Sequence, residues 1–280
     1  MSRTTPEKPL LEVRGLTVRF GRHQVLRDIN LRIEAGQSVA VIGESGCGKT
    51  VFLKCLIGLI RPTQGEVCFD GQNLFALSPA ALNQLRTRYG FVFQQAALFD
   101  SLSVGENVAF PLREHTNYSS QHIRQIVISR LADVGLPESV AEKYPAELSG
   151  GMRKRVGLAR ALVLDPEIIL YDEPTTGLDP IMSDVINELI LQTRLRYRVT
   201  NVIVTHDMAS ARKVADRVVM FYPVHRLSEH ESQIVFDGPP SALEHAEDRR
   251  VRQFVRGEAG ERLMELRELG SGAWQWTSGS

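Results

Sequence analysis

The sequence of 280 residues has no net charge, because 33 lysine and arginine side chains balance 33 aspartate and glutamate side chains. A chain without a net positive field gives no electrostatic argument for binding nucleic acid or an anionic membrane surface. No apolar run approaches the roughly 18 residues that a membrane-spanning helix requires. The polar segment Met1 to Lys8 lacks the apolar centre of a signal peptide, so we expect none.

Cysteine is also scarce, with three residues that show no zinc-ligand spacing: Cys47, Cys55 and Cys68. An odd number of unpatterned cysteines favours a reducing compartment and free thiols, which we expect to lie in the core for Cys55 and Cys68. The remaining composition, 43% hydrophobic and 24% charged, is that of a soluble globular protein. The length fits one large domain or two modest ones, with a sizeable core.

A glycine-rich segment follows the apolar run Val39 to Ile42, and apolar residues at helical spacing follow the segment. The segment fits G-x-x-x-x-G-K-[ST] in the strand, loop and helix context that a phosphate-binding loop needs. Its backbone N–H groups, the helix dipole and Lys49 are expected to bind phosphates, and the Thr50 hydroxyl to bind Mg²⁺. The predicted nucleotide contacts are Gly43, Glu44, Ser45, Gly46, Cys47, Gly48, Lys49, Thr50 and Val51.

Polar side chains follow three further apolar runs, at the points where the predicted strands end: Gln94, Asp172 with Glu173, and His206. In parallel α/β sheets the carboxyl ends of the strands form the ligand-binding edge. We predict that Gln94 binds Mg²⁺ or the attacking water, and that Asp172 holds Mg²⁺. Glu173 is expected to polarise the attacking water, and His206 to donate to the γ-phosphate. The alternative is that each is an ordinary surface residue.

The chain ahead of the phosphate loop alternates apolar and polar residues in two runs, 10–20 and 24–33, which predicts an antiparallel hairpin. Phe20 closes the first run, where its ring either stacks on adenine or belongs to the core. Residues 96–147 have a helical pattern with little strand signal, which indicates a helical subdomain inserted into the α/β core.

A second glycine-containing segment, Leu148-Ser149-Gly150-Gly151-Met152, opens another predicted helix. Its helix terminus is suited to bind an anion, although one nucleotide rarely needs two phosphate cradles. The basic residues that follow are predicted to form a solvated face rather than a nucleic-acid surface. They are Arg153, Lys154, Arg155 and Arg160.

The last part of the chain contains a predicted hairpin, formed by residues 217–222 and 233–237, with a long polar loop between its strands. A charged tail follows, in which Val251, Phe254 and Val255 form a short apolar face. This face packs either on the domain or on a partner, and our hypothesis is that it docks on a second copy. Trp274 and Trp276 lie in a Gly/Ser-rich end that we expect to be mobile.

Taken in order, the phosphate loop, strand-end glutamine, LSGGM, strand-end Asp-Glu, GLD and strand-end histidine resemble the ATP-binding subunits of ABC transporters over about residues 10–240. The resemblance implies an α/β fold with a P-loop NTPase (RecA-like) core, an N-terminal antiparallel β subdomain and an inserted α-helical subdomain. The implied ATP-binding domain is 1–240, with the helical subdomain at about 96–150, and 241–280 is a tail. ATP and Mg²⁺ are the implied cofactors, and ATP hydrolysis coupled to transport is the implied activity.

The family further implies that two copies meet head to tail with two ATP molecules between them. Ser149, Gly150, Gly151 and Asp179 would then complete the site of the opposite copy, which explains the second cradle. Phe20 matches the adenine-stacking position, Gln94 the glutamine loop and His206 the switch histidine. Met152 stands where glutamine is usual, and Tyr171 also departs from the commoner residue, but neither change removes a catalytic group.

A narrower resemblance is to the ATPases of Mla-type, MCE-associated phospholipid transport systems, carried by LSGGM, residues 109–116 and residues 250–254. It implies phospholipid movement between inner and outer membranes, maintaining outer-membrane lipid asymmetry. It also implies an integral membrane permease, MCE-type and small accessory subunits, and a peripheral location on the cytoplasmic face of the bacterial inner membrane. The loop 223–232 is longer than this family's terminal hairpin leads us to expect.

Two alternatives differ in function. The chain could energise transport of another substrate, or it could be a non-transport ABC ATPase acting on DNA or ribosomes. Proteins of the second kind carry a long coiled-coil insertion or two fused cassettes, and the single neutral cassette here favours transport without nucleic acid. A P-loop kinase or GTPase has no use for the LSGGM segment.

Overall fold

The computed structural model describes residues 8–259, which form two β-sheets and eight α-helices. The strands are β1 (Leu11–Phe20), β2 (His23–Ile33), β3 (Ser38–Gly43), β4 (Gln64–Phe69), β5 (Gln72–Asn73), β6 (Tyr89–Val92), β7 (Ile168–Asp172), β8 (Thr200–Val204), β9 (Arg217–Phe221) and β10 (Ile234–Gly238). The helices are α1 (Lys49–Leu56), α2 (Pro79–Arg86), α3 (Val104–His115), α4 (Ser120–Asp133), α5 (Gly150–Leu162), α6 (Pro180–Tyr197), α7 (Met208–Val214) and α8 (Arg249–Arg256).

The first sheet has the strand order β2-β1-β4-β5 and is antiparallel throughout. Its centre is the predicted hairpin, in which Leu11 pairs with Ile33 and Phe20 with His23. The alternating pattern places one side of these strands in a core that continues under α1 through Phe52. This sheet is the predicted N-terminal antiparallel part of the fold.

The second sheet has the order β10-β9-β3-β8-β7-β6, and β10 is its antiparallel edge strand. The other five strands run parallel. β3, β7 and β8 are buried along their whole length, as expected for apolar strands with both faces covered. Their carboxyl ends therefore meet at one edge, where the polar residues that follow the strands are gathered.

Helices α3, α4 and α5 pack together around a second core that includes Val108, Leu131 and Val156. α3 starts with the capping box that its sequence indicates, because Ser103 Oγ accepts from the Glu106 N–H at 3.2 Å and Glu106 Oε2 accepts from the Ser103 N–H at 2.8 Å. α3 and α4 lie between β6 and β7 in the chain, within the range predicted to be helical.

Of the four basic side chains of α5 predicted to form a solvated face, only Arg153 is exposed. Lys154 is buried, and Arg155 and Arg160 are half-buried. Arg155 Nη1 donates to the Gly135 carbonyl at 3.0 Å, and Arg160 Nη2 to the Ala96 carbonyl at 2.6 Å. That prediction is wrong for the other three because long cationic side chains can reach and bind loop carbonyls beneath a helix.

Of the two alternatives for the apolar face of α8, the structure shows packing on the same domain. Val251 is fully buried against the same chain's sheet, in a core shared with Ile42 and Met220. Phe254 and Val255 pack against that core as well. Trp274 and Trp276 lie outside the described residues. None of the helices between residues 8 and 259 combines the length and apolar character needed to cross a membrane.

Candidate nucleotide-binding site

The phosphate loop joins β3 to α1 and is shaped by glycines at both ends. Gly43 has φ +144°, and an added Cβ would lie 2.3 Å from the Phe221 carbonyl oxygen. Gly48 has φ +98°, and its Cβ would lie 2.9 Å from the Val25 carbonyl oxygen. Only glycine fits positions with such backbone angles and such close neighbouring backbone. The loop is thus fixed between β9 on one side and β2 on the other.

Lys49 opens α1 and directs its buried ammonium back across the loop. Nζ donates to the Gly43 carbonyl at 2.7 Å and to the Glu44 carbonyl at 3.0 Å. These contacts hold the charge over the concave side of the loop, at the end of a helix whose dipole favours anions. The position suits an ammonium that binds phosphate oxygens.

Thr50 and Asp172 come together from opposite parts of the chain. The Thr50 hydroxyl donates to Asp172 Oδ1 at 2.9 Å. Burial raises the pKa of the Asp172 carboxyl, while the Thr50 hydrogen bond acts in the opposite direction. Within residues 8–259, no group of three or more His, Cys, Asp or Glu side chains could hold a metal. A hydroxyl, one carboxylate and a nearby amide suit Mg²⁺, which is typically completed by waters and substrate phosphates.

Glu173 follows β7 directly and has a left-handed backbone with φ +50°. Its Oε2 accepts from Thr176 Oγ1 at 3.1 Å and lies 2.7 Å from His206 Nδ1. The Glu173 side chain is 13% exposed, whereas that of His206 is 60% exposed. The structure therefore places a shielded carboxylate and a more open imidazole in direct contact at the ends of β7 and β8.

These groups face one cavity of about 780 Å³. Of the predicted site residues, its lining includes Gly43, Glu44, Ser45, Gly46, Gly48, Lys49, Thr50, Val51, Gln94, Glu173 and His206. Cys47 is buried behind the loop, and Asp172 reaches the cavity through Thr50. The sequence motifs that lie far apart in the chain are thus collected at one site.

A second wall of the cavity was not predicted from the sequence. It comes from the loop after β9 and from α8, and includes Tyr222, Arg226, Arg250 and Phe254. Arg226 Nη1 lies 3.0 Å from both carboxylate oxygens of Glu44, and the Arg250 guanidinium stacks 4.8 Å from the Tyr222 ring centroid. The unusual length of the loop 223–232 is the only feature of the sequence that sets this wall apart.

Five predicted contacts lie away from this cavity. Phe20 is 52% exposed at the end of β1 but does not line it. Ser149 caps α5 by accepting from the Met152 N–H at 3.2 Å, and Asp179 caps α6. The remaining two, Gly150 and Gly151, form the first turn of α5.

Comparison with known proteins decides the family. The family model described as ABC transporter matches residues 26–176. The chain belongs to the ABC transporter family. A Haemophilus influenzae relative, "Intermembrane phospholipid transport system ATP-binding protein MlaF", is 40% identical over 250 residues, covering 89% of this chain and 91% of the relative.

A second relative and a solved structure also match most of this chain. A Mycobacterium tuberculosis protein, "Probable ribonucleotide transport ATP-binding protein mkl", is 45% identical over 247 residues, covering 88% of this chain. The chain spans 66% of the length of that relative. A solved dimeric ATP-binding cassette in a post-hydrolysis state, bound to ADP and phosphate, superposes with a TM-score of 0.73 at 31% identity, covering 82% of this chain and 98% of that one. The predicted fold class and family are confirmed: the chain has the ABC ATPase fold.

Proposed function

We propose that the chain is the ATP-hydrolysing subunit of a transporter that moves phospholipid between the inner and outer membranes. Support comes from the match to a relative of that name over 91% of the relative's length, together with the LSGGM segment and residues 109–116 and 250–254. The mycobacterial relatives, at 45% identity, carry ribonucleotide transport in their name, which makes a nucleotide cargo the second candidate.

The observation that carries the catalytic assignment is the shielded Glu173 carboxylate, 2.7 Å from His206 at the edge of the phosphate-loop cavity. In the proposed reaction Glu173 accepts a proton from water as the water oxygen bonds to the γ-phosphorus, and the bond to the bridging oxygen of ADP breaks. Lys49 binds the β- and γ-phosphates, and His206 orients Glu173 and donates to the released phosphate. Mg²⁺, held by Thr50, Asp172 and Gln94, would neutralise phosphate charge.

We further propose that two copies of the chain act head to tail. Ser149, Gly150 and Gly151 lie outside the chain's own cavity, at a helix start suited to an anion, where Ser149 is exposed, Gly150 is half-buried and Gly151 is buried. With Asp179 they would complete the opposite copy's site, and Phe20 would stack on adenine. Closure of the two copies would drive a conformational change in an integral membrane permease, to which the ATPase binds at the cytoplasmic face of the inner membrane. MCE-type and small accessory subunits would complete the transporter.

The first test is Glu173→Gln, which keeps the shape of the side chain but removes the base. We expect the variant to bind ATP and to accumulate as an ATP-bound dimer, while turnover falls by about 10²-fold or more. Lys49→Ala is the control and should lose ATP binding itself. Turnover, ATP binding and dimer mass would be measured on the same preparations. Wild-type turnover by Glu173→Gln would show that Glu173 is not the base.

The second test concerns the cargo. The ATPase would be co-purified with its permease and reconstituted in phospholipid vesicles, and transfer of labelled phospholipid to acceptor vesicles would be followed with ATP. We expect transfer that stops in the Glu173→Gln complex. ATP-dependent uptake of a labelled ribonucleotide without phospholipid transfer would instead support the nucleotide cargo that the names of the mycobacterial relatives suggest.

A further inference from the structure

The most unusual buried charge outside the assigned site is Lys154, in the second turn of α5. The residue is 7% exposed, and Nζ donates to the backbone carbonyl oxygen of Glu173 at 3.3 Å. Burying an ammonium is unfavourable unless it is compensated by hydrogen bonds and opposite charge. The compensation here is Glu173, through its carbonyl and its carboxylate charge.

The contact is made at a strained point of the backbone. Glu173 has φ +50°, a left-handed conformation that a residue with a side chain seldom adopts unless its surroundings hold it there. Its N–H donates to the Val204 carbonyl at 2.9 Å, and its own carbonyl accepts from Lys154. The residue is thus held at its N–H by β8 and at its carbonyl by α5.

The charges of Lys154 and Glu173 also interact with each other. Asp172 and Glu173 are consecutive carboxylates that repel each other. Burial is the main cause that raises the pKa of Asp172, and the Glu173 charge adds to it. The Lys154 ammonium and the Glu173 carboxylate attract, although burial outweighs that attraction and lowers the pKa of Lys154 to about 8.

We propose that Lys154 is a positioning residue for ATP hydrolysis, whose ammonium holds the left-handed turn at Glu173 and so aims the carboxylate at the attacking water. This inference rests on the proposed role of Glu173 as the base. Lys154 contacts the backbone behind the carboxylate and does not line the cavity. It is therefore expected to affect the rate of the chemical step and not the binding of ATP.

The experiment compares Lys154→Met with Arg155→Met, the next residue on the same helix, which donates to the Gly135 carbonyl. We expect Lys154→Met to lower kcat by about tenfold or more while KM for ATP stays within about twofold. Its Tm should be no lower than that of Arg155→Met, because the substitution also removes a buried charge. Lys154→Arg, which keeps the cation, should recover kcat to within about threefold of wild type.

A double-mutant cycle distinguishes action through Glu173 from a general loss of structure. In a Glu173→Gln background, Lys154→Met should change the residual rate by less than about threefold, because the group it positions is already absent. An undiminished kcat in Lys154→Met would overturn the inference, as would a full tenfold loss in the Glu173→Gln background. Wild-type turnover by Glu173→Gln alone would instead show that Glu173 is not the catalytic base. That result is distinguishable from the two outcomes that would overturn the role of Lys154.

Discussion

Gln233 gives the sharpest test of how the long loop supports the phosphate loop. This residue immediately precedes β10, and its side chain is 1% exposed. Its Nε2 donates to the Cys47 carbonyl at 2.9 Å and to the Val25 carbonyl at 3.2 Å, and its Oε1 accepts from the Arg27 N–H at 2.8 Å. One amide thus ties the end of the loop to both the phosphate loop and β2.

The expected loss of folding stability follows from the three hydrogen bonds that Gln233→Leu would remove. Leucine has a similar volume, so the loss is one of hydrogen bonding and not of packing. The buried bond to Cys47 leaves an unpaired carbonyl, at a cost of about 2 kcal/mol, and each half-buried bond costs about 1 kcal/mol. The expected destabilisation is roughly 4 kcal/mol, which is a large part of the ~5–15 kcal/mol that stabilises a typical protein.

Thermal unfolding is the appropriate assay, with Gln84→Leu on the exposed face of α2 as the matched control. At roughly 2–3 °C per kcal/mol for a chain of this size, Gln233→Leu should lower Tm by roughly 8–12 °C. It should also raise KM for ATP, because the Cys47 peptide would lose its anchor. A Tm shift no larger than that of Gln84→Leu would refute the reasoning.

Two further predictions concern titratable groups. Hydrogen bonds from Arg14, and to a smaller extent from Arg32, lower the pKa of Glu12 below 4.5. The ionised Glu12 carboxylate should therefore stabilise the first sheet above pH 4.5, and this stabilisation should be lost as the pH falls through the lowered pKa. The urea midpoint of wild type should fall more steeply than that of Glu12→Gln below pH 4.5; parallel curves would contradict this. Burial raises the pKa of Cys55 to about 12, so iodoacetamide should label it only after unfolding, as mass spectrometry would detect.

Much of the site could be predicted from the sequence because its parts are either local or fixed by topology. The phosphate loop is a continuous strand, loop and helix, so its residues are recognisable together. Asp172 and Glu173 are distant in sequence from the phosphate loop, but the carboxyl ends of parallel strands share an edge. The 2.9 Å contact between Thr50 and Asp172 spans 122 positions and is the result of that rule.

The remaining parts depend on single long-range contacts, for which the sequence has no pattern. The sequence predicts that Gln233 is the first residue of a strand, and nothing nearby indicates that its amide reaches Cys47. Arg226 lies in a polar loop whose length alone was unusual. Lys154 belongs to a basic run that predicts a solvated face, and its burial follows from how α5 packs on β6 and α6.

Helix α5 also contacts a second turn with left-handed backbone, through Arg160. This contact helps to explain why its basic residues are buried. Ala96 and Ala97, shortly after Gln94, have φ +60° and +47°. Arg160 donates to both of their carbonyls, at 2.6 and 2.8 Å. Each left-handed residue costs about 1–3 kcal/mol, and a hydrogen bond from a charged donor contributes about 1.5–3 kcal/mol.

These magnitudes are comparable, so the cationic donors of α5 are sufficient to offset the strain in both turns, whereas an apolar helix face would leave it unopposed. Lys154 does this at Glu173, and Arg160 does it at the turn that follows Gln94. The helix that begins at Gly150 is therefore tied to two of the three strand ends that carry polar site residues into the cavity, those of β6 and β7. The burial of Lys154 and Arg160 is explained by the backbone conformations that these two side chains stabilise.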